Sequence, residues 1–314
     1  MKRELTIVMY HYVRDLDRTR YPKIKGRRTA EFRNQIKFLQ KNYNIVTMQE
    51  VVCSIRTGEK LKPNAALLTF DDGYIEHYTT VFPILFDLGL QGSFFPPVAT
   101  AARGQLLDVN RVHFLLSVAN AEVLASEIDA HVKDNTETHA LDSVSQYREK
   151  WATANRFDTA ETIYVKRMLQ HVLPEVLRNS IARELFSKFV GIDEGAFAAE
   201  LYLNAEQLRV MQSSGMYVGS HGDSHYWLNT ISEEMQQKEI EGSLQFLRDV
   251  GSPVEDFWVM CYPYGAYDEK VLDTLRRNHC ALGLTTEAAV ANLDQNDPLL
   301  LPRLDTNDLP ITFP

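Results

Sequence analysis

Two carboxylates stand side by side at the end of an apolar run in LLTFDDGY (67–74), and two histidines stand four residues apart in HGDSH (221–225). Adjacent Asp71 and Asp72 repel each other when both are ionised, which is costly unless a cation sits nearby. A plain turn is the simpler reading of Asp-Asp-Gly taken alone, because Asp and Gly commonly end strands. His221 and His225, on a helical or tightly turned segment, point their imidazoles the same way and can share one metal ion. Taken alone they read equally well as two partly exposed loop histidines. Together, two imidazoles and one carboxylate leave positions open for water and substrate, a donor set used for hydrolysis at a divalent metal.

The elements that must position these residues alternate along the chain. LTIVMY (5–10) reads as a buried strand, and TAEFRNQIKFLQKN (29–42) as a helix with Phe32, Ile36 and Leu39 on one face. Thr47 and Glu50 form a capping box before a short helix, and AALLTF (65–70) is a second buried strand. YTTVFPILFDLG (78–89) reads as a helix closed by Gly89, and GSFFPPV (92–98) as a third strand ended by prolines. From about Arg103 to Leu203 helical patterns run without a strand. The clearest are ETIYVKRMLQHV (161–172) and a segment with Pro174 at a first helical position and Gly191 past its end. Alternation then resumes through a helix from Asn204, MYVGS, a long helix from Ser232, FWVMCY, DEKVLDTLRRN, CALGLTT and LLLPRLDTND. The pattern is that of an α/β protein, one domain over 1–314 with a helical insertion at 103–203. The insertion is expected to act as a lid that restricts entry to something short.

Composition narrows the class. A chain of 314 residues with 45% hydrophobic content can bury one large core. Acids outnumber bases 42 to 33, a net charge of -9, which argues against nucleic acid or an anionic membrane as the main partner. No apolar segment has the length of a signal peptide or membrane span, so the expected location is the cytoplasm. Cys53, Cys261 and Cys280 lie far apart and outside any CxxC spacing, so they are expected to be small buried hydrophobes rather than disulfide or zinc ligands.

With TFDDGY followed by SHGDSH and CYPYGAYD, the chain resembles the polysaccharide deacetylase family, the chitooligosaccharide deacetylase-like carbohydrate esterases with NodB homology. The resemblance covers about the first hundred residues and the last hundred and ten. It implies a distorted (β/α)7 barrel with its site at the carboxyl ends of the strands, where α/β barrels carry their chemistry. It further implies Asp71 as catalytic base and Asp72 as a metal ligand beside His221 and His225. The backbone amide of Tyr264 in the third motif is then the donor to the oxyanion, although Pro and Gly alone would explain YPYG as a turn. The ion is expected to be zinc, with cobalt or nickel as alternatives, since such a donor set accepts several first-row metals.

Two departures from the family pattern stand out. Many members carry an arginine before the Pro-Tyr of the third motif, where it pairs with the catalytic base, but this chain has Met260, Cys261 and Tyr262. Arg303, at the end of the last expected strand, is the candidate replacement, with a surface arginine as the other reading. The late Leu-x-x-His motif that supplies the proton for the leaving amine is also missing. His279 ends a helical pattern, so His11 in MYHYV, at the end of the first strand, is the candidate for that role; otherwise it binds substrate or satisfies a buried hydrogen bond. The expected activity is metal-dependent removal of an N-acetyl group from an amino sugar, a cytoplasmic sugar or glycan precursor. An O-acetyl esterase, another small-amide hydrolase, or a non-catalytic carbohydrate-binding protein on the same barrel are the alternatives.

Overall fold

The computed structural model describes residues 3–155 and 158–313. In chain order it contains β1 (Glu4–Tyr10), α1 (Thr29–Asn42), β2 (Asn44–Ile45), α2 (Met48–Thr57), β3 (Ala65–Asp71), α3 (Phe82–Asp87), β4 (Ser93–Phe95) and α4 (Val98–Ala101). Helices α5 (Asp108–Val118), α6 (Ala121–His139), α7 (Val144–Trp151), α8 (Ala160–Arg167), α9 (Glu175–Phe189) and α10 (Glu194–Leu201) follow without a strand between them. The remainder is α11 (Ala205–Ser213), β5 (Tyr217–Val218), α12 (Glu233–Asp249), β6 (Val259–Cys261), α13 (Glu269–Arg277), β7 (Leu282–Leu284), β8 (Ala291–Asn292) and β9 (Leu304–Asp305).

These elements form two compact units. One comprises Met1–Asp15, Gly26–Gln105 and Ala198–Pro314, and the other Leu16–Lys25 with Leu106–Phe197. The first is the barrel. Its parallel staves run β5, β4, β3, β1, and β9 pairs in parallel with β1 on the far side. Strands β6 and β7 close the ring through single parallel bridges, Ser220 to Met260 and Leu284 to Leu301. Seven staves joined in part by lone bridges make the distorted (β/α)7 barrel that the family resemblance implies. The antiparallel pairing of β8 with β1 is an addition that the alternation did not reveal.

Continuous burial of the strands follows from their two apolar faces. Val8, Tyr10, Leu68, Phe70, Phe94 and Val218 pack outward with Phe32, Ile36 and Leu39 of α1 and with the helices that follow. Leu5, Ile7, Leu67, Phe95, Tyr217, Val259, Cys261, Leu284 and Leu301 form the second cluster. Side chains alternate along a strand, so the odd-numbered positions of this second set point His11, Asp71, His221 and Arg303 to one side at the strands' carboxyl ends. The interior is tight: a Cβ on Gly219 would lie 2.4 Å from the Phe95 ring.

The helical unit has its own core of Leu115, Leu124, Ile128, Tyr164, Met168, Ile181 and Leu185. Pro174 caps α9 from outside instead of occupying its first turn, and Gly191 takes the left-handed conformation past its end. In the barrel unit the helix expected from 78 begins as a π-turn over His77–Val81, closed by the Phe82 N–H on the His77 carbonyl. Pro83, which has no N–H to give, makes the wider turn inexpensive there. Cys261 is buried as expected, but Cys53 is exposed on α2 because it lies on the face opposite Val51 and Val52. Among the described residues no helix is long and apolar enough to cross a membrane.

Candidate active site

Asp71 is the last residue of β3, and its carboxylate is buried. Arg303, directly before β9, meets it with both prongs of the guanidinium, Nη1 to Oδ1 at 3.0 Å and Nη2 to Oδ2 at 2.8 Å. The fork is anchored in turn: Nη1 donates to Thr69 Oγ1 at 3.2 Å and Nε to the Thr285 carbonyl at 2.8 Å. Burial pulls the Asp71 pKa up, but the charge and hydrogen bonds of Arg303 outweigh it and hold it down to about 2. Arg303 thus supplies, from the residue before β9, the pairing with Asp71 that the third motif, with Met260, Cys261 and Tyr262, has no arginine to make.

Asp72 leaves the strand in a left-handed turn, φ 72°, with its N–H on the Phe95 carbonyl at 3.1 Å. Its Oδ1 faces His221 Nε2 and His225 Nε2, each at 3.4 Å. Its Oδ2 accepts the Tyr74 hydroxyl at 2.7 Å. His221 Nδ1 lies 2.7 Å from the Cys261 carbonyl, an atom that can only accept, so the ring proton sits on Nδ1 and the Nε2 lone pair is left for an ion. His225 reaches the same point through a left-handed backbone, φ 62°, in a loop, not from a helix. Glu239 of α12 shapes that loop by accepting the N–H groups of Asp223 at 3.0 Å and Ser224 at 2.8 Å.

The donor set fits a divalent cation. One ligand atom from each of Asp72, His221 and His225 lies within 4.8 Å of the others, and all three side chains are buried. Arg303 balances Asp71 alone, so the buried negative charge of Asp72 remains for a cation or a protonated imidazole to balance. Burial opposes charge on both rings. At His225 it prevails and pushes the pKa down, whereas at His221 the Cys261 and Asp72 neighbours outweigh it and push the pKa up. Two imidazoles directed at one carboxylate oxygen, only one of them drawn to hold a proton, is an arrangement that a metal ion would resolve.

The remaining expected residues gather at the same mouth. His11 Nε2 is 4.0 Å from Asp71 Oδ2, and its side chain is 41% exposed. His77 Nε2 lies 2.8 Å from the His11 carbonyl. Tyr264 adopts a left-handed conformation, φ 59°, with its ring stacked on Trp227 at 4.5 Å and tilted against His225 at 4.7 Å. His279 instead lies just past α13, with its N–H on the Arg276 carbonyl. Sequence reasoning did not single out Tyr74, His77, Trp227 or Glu239. Only Tyr74 carried a signal, its place two residues after Asp72.

Comparison with known proteins finds similarity in part of the sequence and in the fold. The polysaccharide deacetylase family model matches residues 192–283. YxkH of Bacillus subtilis (strain 168), assigned by name to the polysaccharide deacetylases, is 20% identical over 293 residues, covering 93% of this chain and 68% of that protein. The poly-beta-1,6-N-acetyl-D-glucosamine N-deacetylase of Escherichia coli (strain K12) is 44% identical over 59 residues, 18% of this chain and only 9% of that protein's length. Among solved structures, the Streptococcus pyogenes deacetylase PplD in complex with acetate superposes with a TM-score of 0.60 at 16% identity, covering 97% of this chain and 93% of that one. IcaB from Ammonifex degensii gives 0.56 at 17% identity, with 96% and 91% covered.

Proposed function

We propose that the chain is a polysaccharide deacetylase-like enzyme that hydrolyses the N-acetyl group of an amino sugar, releasing acetate and a free amine, with a divalent metal held by Asp72, His221 and His225; the partial family-model match, the distant relative and the shared fold support this reading. The observation that carries the reading is the division of labour between neighbours. Asp71 is held ionised by Arg303, while Asp72 turns away from it toward two imidazoles.

Asp71 accepts a proton from the attacking water, and Arg303 fixes the carboxylate's plane and keeps it charged at neutral pH. A divalent ion at Asp72, His221 and His225 would supply the acidity that so weakly basic a carboxylate requires, polarising the acetyl carbonyl and lowering the pKa of the water. Water adds to the carbonyl carbon, and the Tyr264 amide is the proposed donor to the oxygen that gains charge. The carbon–nitrogen bond then breaks. The departing nitrogen needs a proton, and His11, at the mouth beside Asp71, is placed to deliver it. The proposed substrate is a soluble N-acetylated sugar or short glycan precursor.

The test is acetate release by metal-loaded protein from a panel of N-acetylated sugars, their nucleotide-linked and glycosidic forms, and O-acetylated counterparts. Release from the N-acetyl members is expected. Release from O-acetyl esters alone would shift the activity to an esterase, and release from none would end the reading.

A further inference from the structure

We propose that Tyr74 is a positioning residue for the metal centre: its hydroxyl occupies one oxygen of Asp72, so that the carboxylate offers the other oxygen alone to the ion. The inference rests on the reading of Asp72, His221 and His225 as metal ligands.

A carboxylate can meet a cation through one oxygen or through both, and the choice changes coordination number and affinity. Asp72 has little freedom to choose. Its main chain is pinned to β4 by the N–H bond to the Phe95 carbonyl at 3.1 Å, which leaves only side-chain rotation. Rotation is blocked by the Tyr74 hydroxyl on Oδ2 at 2.7 Å, while Oδ1 stands 3.4 Å from both imidazole Nε2 atoms. The two oxygens are thereby assigned, one to the protein and one to the site.

Tyr74 is itself immobilised by three parts of the barrel unit. Its ring is fully buried and stacks on Tyr12, just past β1, at 4.0 Å and 23°, and on Tyr202, at the approach to α11, at 6.1 Å and 17°. Its backbone bridges Tyr202 antiparallel, and the Gly73 carbonyl accepts the Leu203 N–H at 3.0 Å. Gly73 makes the return of the chain possible: φ is 70°, and a Cβ there would lie 2.8 Å from Pro96 Cβ. A phenol is protonated at neutral pH, and Asp72 Oδ2 can only accept, so the hydroxyl is the donor. A tyrosine is therefore used where a phenylalanine would satisfy the packing, and the hydroxyl is the difference.

The test compares wild type and Tyr74→Phe, which keeps the ring and its stacking, in the metal-free form titrated with Co(II) and followed by visible absorption. The variant is expected to bind about 10- to 100-fold more weakly, as for other partners that orient a metal ligand. Its absorption band should also weaken, because freeing Oδ2 raises the coordination number. Equal affinity with an unchanged band overturns the inference, and so does a lower melting temperature with both optical properties preserved, which would mark Tyr74 as merely structural. Wild type that takes up neither Co(II) nor Zn(II) instead removes the metal reading on which the inference stands. A measurement on wild type alone covers the case of a misfolded variant. The Tyr74 hydroxyl proton, followed by proton NMR, should persist when Zn(II) is added, and its disappearance on loading would show that the bond does not belong to the metal-bound state.

Discussion

Asp71 in the barrel and Asp158 in the helical unit are both gripped by basic side chains, and both titrate below an ordinary aspartate. Their surroundings differ. Asp158 meets Lys166 Nζ at 2.7 Å and Lys25 Nζ at 3.1 Å, and the lysine side chains are 30% and 74% exposed, so water completes their solvation. Asp71 and Arg303 are almost wholly withdrawn from water, and Asp72 beside them adds a charge that the arginine does not balance. A buried pair is weak evidence of stabilisation, because desolvation can cancel the attraction. A buried pair with a second carboxylate and two imidazoles converging on it is evidence of a site. Local charge imbalance, more than the number of ion pairs, separates the two regions.

The largest effects that follow from this difference belong to the imbalance itself. Asp72→Ala, His221→Ala or His225→Ala should each abolish stoichiometric metal binding, because three protein ligands leave little redundancy. Metal analysis of the purified variants checks this, and full occupancy in all three would erase the distinction between the regions. Next in size is Asp71→Asn, which keeps the shape but cannot take a proton. It should retain metal while turnover falls by about 10²- to 10⁴-fold, the usual contribution of a general base. Turnover close to wild type would mean that the roles of the neighbouring aspartates are exchanged.

How much of this was legible before the fold was known depends on whether a residue acts within a short motif or across the chain. Asp71, Asp72, His221 and His225 were visible because their types and spacing are local. Arg303 was reachable by position, since it precedes β9 on the parity that faces the interior, although nothing in PRL marks it as a partner 232 residues from Asp71. His77 and Glu239 were invisible: each acts on the backbone of a distant loop, and a backbone acceptor or donor leaves no trace in side-chain chemistry. The helices between β4 and β5 were legible from their periodicity and caps. That Leu16–Lys25 folds with them was not, because the segment's partners lie some ninety residues further on and beyond.

A smaller and more selective effect is expected at His11, a partly exposed member of the site. If it protonates the leaving amine, His11→Ala should slow amide hydrolysis far more than hydrolysis of an activated aryl acetate, whose leaving group departs without a proton. Parallel rates on the two substrates isolate the step. Equal losses would assign His11 to substrate positioning, and no loss would leave it outside the chemistry and reduce the contrast between buried and exposed members of the mouth.

The smallest effect belongs to the helical unit and tests the comparison from its other side. Partial burial raises the Asp158 pKa, but hydrogen bonds from Lys166 and Lys25 outweigh it and leave the folded-state value below the unfolded one of about 3.9. A depressed carboxylate pKa stabilises the fold above the unfolded value, and that contribution is lost as pH falls through the folded value. Asp158→Asn should therefore lower stability by no more than about 1 kcal/mol at neutral pH, given how exposed the lysines are. The difference from wild type should shrink as the pH is taken below about 4. Denaturant melts of both proteins at pH 7 and at acid pH measure it, alongside turnover at neutral pH, which should be unchanged. A destabilisation of several kcal/mol, or a gap that widens on acidification, would mean that Asp158 is held as Asp71 is, by a buried partner instead of a solvated one.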